Sequence, residues 1–67
     1  MEENIVNLAQ YRLLDSKDVA TVLNVSVPFA YKLMQTGTIR TMHIGRSVRV
    51  HMADLLAYIE TQRANAK

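Results

Sequence analysis

The chain has 67 residues, 49% of them apolar, no cysteine and a formal net charge of +2. That length holds one domain with a modest core, because a chain near 60 residues buries only about 60% of its unfolded surface. A disulfide framework is excluded, the two histidines lack the further ligands a structural zinc needs, and no apolar run nears the roughly 20 residues of a membrane span.

The opening stretch MEENIVNLAQ is acidic at its start and lacks the basic-then-apolar pattern of an export signal, so a cytoplasmic location is expected. Residues 1–10 read as a flexible arm, 11–62 as the domain and 63–67 as a frayed tail. The first predicted helix runs from Ser16 to Leu23, with Asp15 as N-cap and Asp18 reaching back as in a capping box. Val19, Ala20, Val22 and Leu23 recur at helical spacing and predict its buried face. Asn24 tolerates the left-handed conformation that ends a helix, and Ser26 then caps a second one. Pro28 fits the first turn of that helix, where amide donors lack helical partners anyway. Ala30, Leu33 and Met34 predict its buried face, and Gly37 its end. Two helices joined by about three residues are the signature of a helix-turn-helix.

After Ile39 the period changes to two. Met42 and Ile44 alternate with Thr41 and His43, and beyond Gly45-Arg46-Ser47 the residues Val48 and Val50 alternate with Arg49. A three-residue loop would pair Ile44 with Val48, His43 with Arg49 and Met42 with Val50, giving one apolar and one polar face. A two-residue loop would set Met42 against Arg49 and mix the faces, so the three-residue register is expected, with the basic side outward. A last helix from Met52 or Ala53 to Gln62 is expected to bury Leu55, Leu56 and Ile59, with Asp54 favouring its dipole. The fold class is thus mainly α with a small β-hairpin, in the order helix, helix, hairpin, helix.

Charge is distributed unevenly along this plan. Glu2, Glu3, Asp15 and Asp18 outweigh Arg12 and Lys17 before Val25, and Asp54 and Glu60 balance Arg63 and Lys67 after His51. Between them stand Lys32, Arg40, Arg46 and Arg49 with no acid, joined by His43 and His51. Such a stretch fits either a polyanion site or a plain solvated surface. Arg46 at the hairpin tip, with Arg49 and His43 on its polar face, can approach phosphates or a narrow minor groove, and Ser47 in the loop is a further candidate of the wing. Arg40 and Lys32 are candidates for backbone contact, and Tyr31 for a phosphate hydrogen bond or for packing beneath the hairpin. His43 and His51 read as surface or contact residues, not metal ligands. Catalysis is not expected: there is no cysteine nucleophile, no glycine-rich phosphate loop and no cluster of histidine, carboxylate and serine. No cofactor is expected either.

The order LLDSKDVATVLNVS, AYKLMQTG, IRTMHIGRSVRVHMADLLAYIE resembles the excisionase-type, MerR-like winged helix-turn-helix family over about Leu13 to Glu60. The most specific part is IGRSVRVHMADLLAYIE, in which a Gly-Arg turn, an alternating strand and a helix follow without gaps. The resemblance implies a recombination directionality factor of a phage or mobile element, active in a bacterial cytoplasm or nucleoid. It would bind and bend attachment-site DNA in cooperating copies and help a tyrosine integrase excise the element. A transcriptional regulator on the same fold, and a protein-interaction module of antirepressor type, stay open beside it. The second helix would enter the major groove through Ser26, Val27, Pro28, Phe29, Tyr31 and Lys32, with Gln35 and Thr36 near its far end. Val27, Pro28 and Phe29 depart from relatives, which carry arginine and small hydroxyl residues there. Contact with thymine methyls, water-mediated or shape readout, and a core or self-association role for Phe29 are the alternatives.

Overall fold

The computed structural model describes residues 12–66, so the expected arm over 1–10 lies outside the described residues. Helix α1 spans Ser16–Leu23 and α2 spans Val27–Gln35. The capping box at α1 forms in full: the Asp15 carboxylate accepts from the Asp18 N–H at 2.9 Å, and Asp18 accepts from the Asp15 N–H at 3.1 Å. Asn24 ends the helix in the left-handed region, with φ 59° and ψ 48°. Its successor, the Val25 N–H, donates back to the Ala20 carbonyl at 3.0 Å, so the turn satisfies backbone groups that the helix end exposes.

The Asp15 carboxyl is held below its usual value of 3.8, chiefly by the Asp18 backbone N–H, while desolvation works in the opposite direction. A group with a lowered folded value stabilises fully above its unfolded value and loses that contribution as pH falls through the folded one. Asp15→Ala should therefore cost about 1 kcal/mol at neutral pH, as removal of an N-cap does. In urea titrations the gap between it and the parent should close in acid, and a gap independent of pH would contradict this account.

Strands β1, Met42–Ile44, and β2, Ser47–Arg49, form the hairpin, and α3 spans Met52–Ala64. The register differs from the expected one: Met42 faces Arg49, His43 faces Val48 and Ile44 faces Ser47. The loop is therefore the two residues Gly45 and Arg46. Gly45 has φ 61° and Arg46 stays out of the positive region, the sign pattern of the type II′ turn that suits the twist of a hairpin. Val50 is withdrawn from the hairpin by a second partner. The Leu14 N–H donates to the Val50 carbonyl at 2.9 Å and the Val50 N–H to the Leu14 carbonyl at 2.8 Å, an isolated antiparallel bridge. Turn geometry and this bridge outweigh the sorting of faces. Val48 packs on the core, whereas Ile44, expected on the apolar side, is 53% exposed.

The core gathers Leu14, Val19, Ala20, Ala30, Leu33, Met34, Ile39, Val50 and Leu55, so every element except β1 and β2 contributes directly, and the residues flanking the hairpin close it. Two expected core residues are not there: Val22 is exposed, and so is Leu56 at 52%. Helix α3 presses only Leu55 fully inward, with Tyr58 and Ile59 packed beside it. It also runs two residues past the expected end at Gln62, through Arg63 and Ala64, and Asn65 is the cap. His51 proves to be its N-cap, its Nδ1 accepting from the Ala53 N–H at 3.0 Å.

Candidate nucleic-acid interface

Helix α2 is held by Ala30, Leu33 and Met34, all buried, and the helical period then fixes what faces outward. Pro28 and Lys32, four residues apart, lie at the centre of the exposed face. Tyr31 is on the flank that adjoins the hairpin, and Phe29 on the opposite flank. Val27, Pro28, Phe29, Tyr31 and Lys32 are all exposed. Ser26 is exposed too, but its hydroxyl oxygen accepts from the Phe29 N–H at 3.3 Å and so serves the helix as its cap.

The hairpin stands beside α2 as a wing. Thr41 anchors its base, its hydroxyl lying 3.2 Å from the Met34 carbonyl and 2.7 Å from the Ile39 carbonyl. The seam between wing and helix is a groove of about 330 Å3 lined by Asp15, Ser16, Tyr31, Met34, Arg46, Ser47, Val48 and Arg49. A smaller recess of about 110 Å3 continues it along Tyr31, Met34, Gln35, His43 and Val48. The fold thus brings Tyr31, His43, Arg46, Ser47 and Arg49 to one surface with the exposed side of α2. Arg40 is exposed but lines a different groove with Thr38, Asp54 and Tyr58, against α3. That groove is the larger at about 440 Å3, yet it holds Asp54 opposite its one cation and gathers no basic cluster.

Electrostatics within the seam are not uniform. Arg46 and Ser47 are exposed at the tip, whereas Arg49 is half-buried and its guanidinium donates to the Val48 carbonyl at 2.9 Å. Pairing of Leu14 with Val50 sets Asp15 beside Arg49, whose charge adds a small contribution to lowering the Asp15 carboxyl. Among the described residues the ion pairs are Arg12 with Asp18 and Arg63 with Glu60, each at 3.6 Å, and neither draws a cation from the seam. Lys32 and Arg46 thus face solvent with no carboxylate within 4.0 Å among the described residues.

Sequence reasoning missed Leu14, Thr41 and Asp15 as parts of this site. Leu14 makes a single bridge, too short for any period to announce, and Thr41 acts through one hydroxyl. Asp15 was visible as a cap, but its place in the seam follows from the bridge alone.

Among the described residues there is no grouping of three or more potential metal ligands, and no helix is long and apolar enough to cross a membrane. Two helices meeting at a left-handed turn, a third helix and a hairpin beside the second helix define a winged helix-turn-helix, a class of double-stranded DNA-binding domain. The family model described as a helix-turn-helix domain matches residues 13–63, and the chain belongs to that family. No curated protein and no solved structure matches the chain significantly.

Proposed function

We propose that the protein is an excisionase-type recombination directionality factor, which binds and bends attachment-site DNA and promotes integrase-mediated excision of a mobile element. The observation that carries the DNA-binding part is the seam, where Arg46, Ser47, Tyr31 and His43 adjoin the outward side of α2 that bears Lys32. Helix α2 enters the major groove, and the wing lies on the flanking backbone. The excision role rests on the resemblance of IGRSVRVHMADLLAYIE to that family. In this reading the protein performs no chemistry and needs no cofactor. Its work is to shape DNA for a tyrosine integrase.

A domain with four or five phosphate contacts binds weakly alone, so neighbouring copies cooperate along the DNA. The test is a gel shift and footprint over the attachment region, with and without integrase, repeated across salt. A slope of log affinity against log salt of about −4 per monomer is expected, from roughly 0.9 per neutralised phosphate. Excision in a purified reaction should depend on the protein. Binding confined to a promoter, with no effect on excision, would reassign it as a transcriptional regulator, and affinity indifferent to salt would remove the DNA reading altogether.

A further inference from the structure

We infer that the first turn of α2 reads thymine through its 5-methyl group, so that the base preference of this helix is apolar and not hydrogen-bonded. The inference rests on the DNA-binding reading above and names what that surface would recognise.

The first turn consists of Val27, Pro28 and Phe29, and all three are exposed, Val27 to 42% and Phe29 to 48%. None of them belongs to the buried core, to which this helix contributes Ala30, Leu33 and Met34. This turn has almost nothing with which to read base edges by hydrogen bonding. Valine, proline and phenylalanine side chains carry no donor or acceptor, and the Ser26 hydroxyl, whose oxygen accepts from the Phe29 N–H, is left with its O–H to offer. The next polar groups along the helix are Tyr31, which lines the seam with the wing, and Lys32, a compact charge suited to phosphate.

In the major groove each base pair shows donors and acceptors, and the thymine 5-methyl is its apolar feature. An apolar first turn facing a guanine or cytosine edge would strip water from polar groups and return no hydrogen bond. Facing a thymine methyl it buries apolar surface on both sides. The surroundings favour a nucleic acid as occupant over an apolar protein partner. Lys32 lies one turn on and Arg46 stands across the seam, where the one acid of its wall, Asp15, faces Arg49. The apolar turn therefore has cations along the helix and on its wing side, which complements a methyl-bearing groove flanked by phosphates.

The experiment first selects a preferred site for the full chain from a randomised duplex library. Each thymine of that site is then replaced by 2′-deoxyuridine, which removes the methyl and leaves the Watson–Crick edge unchanged. At one or two positions the affinity should fall about fourfold per methyl. Val27→Ala and Phe29→Ala should weaken binding to the thymine duplex and cause little further loss on the deoxyuridine duplex, since the contact is already gone. Both positions are exposed, and far-UV circular dichroism checks the fold. The wild-type comparison needs neither variant. Equal affinity for every deoxyuridine duplex would overturn the inference and leave DNA binding intact. So would a Phe29→Ala effect confined to self-association. If no duplex is bound at all, the functional reading fails and the inference with it.

Discussion

Leu55→Ala is expected to be severely destabilising, lowering stability by about 2–5 kcal/mol. Leu55 is fully buried, and it is the one residue that α3 inserts completely into the core. Truncating a buried leucine to alanine costs about 2–5 kcal/mol, from lost transfer energy and from the cavity left behind. A domain of this size has roughly 3–10 kcal/mol in total, at about 0.05–0.15 kcal/mol per residue. The loss is therefore a large share of the margin, and Tyr58 and Ile59, which pack beside Leu55 only partly buried, would border the cavity. Leu56→Ala is the matched control. Leu56 neighbours Leu55 in sequence but stands half exposed, so its truncation should change stability by no more than about 0.5 kcal/mol. Urea unfolding followed by circular dichroism measures both. Similar midpoints for the two variants would mean that α3 is not docked through Leu55.

The contrast between Leu55 and Leu56 also marks where the sequence stops being legible. The periodicity of Leu55, Leu56 and Ile59 predicts a broad apolar face, but a broad face needs a second layer to cover it. In this small fold α3 meets the rest of the domain along one edge. Val22 on α1 is left out for the same reason. Local chemistry was far more readable: Asp15 and Asp18 fix the start of α1, Asn24 its end, and Ser26 and Pro28 the start of α2, all within a few residues of contiguous chain. The hairpin shows the converse. Sorting of apolar and polar faces argued for a three-residue loop, and the chain instead makes a two-residue turn with Gly45 first, at φ 61°. The deciding partner, Leu14, lies outside the hairpin and more than thirty residues earlier in the chain.

The same long-range pairing changes what the cations can do. Sequence places Arg46 and Arg49 together as equals on a polar wing. The observed register separates them, leaving Arg46 at the open tip and drawing Arg49 down beside Asp15 with its guanidinium on the Val48 carbonyl. A basic cluster could be recognised from composition, but the presence of an acid within the binding seam could not.

Arg46→Ala should therefore be the most damaging single substitution for DNA binding while leaving the fold intact. Its side chain is exposed and has no carboxylate partner among the described residues, so its removal should shift stability by no more than about 0.5 kcal/mol. A hydrogen bond to a charged group is worth about 1.5–3 kcal/mol, which corresponds to a loss of affinity of roughly tenfold to a hundredfold. The salt slope should become shallower by about 0.9, the share of one phosphate. Arg49→Ala should cost less affinity, because its charge already faces Asp15, and more stability, because its stem and guanidinium pack on the wing. Asp15→Asn supplies the opposite sign: it keeps an acceptor for the Asp18 N–H, removes a negative charge from the groove wall and should tighten binding severalfold. Fluorescence anisotropy with a labelled duplex at two salt concentrations reads all three. If Arg46→Ala binds as tightly as the parent, with an unchanged slope, the wing does not touch the backbone and the interface must be sought on α2 alone.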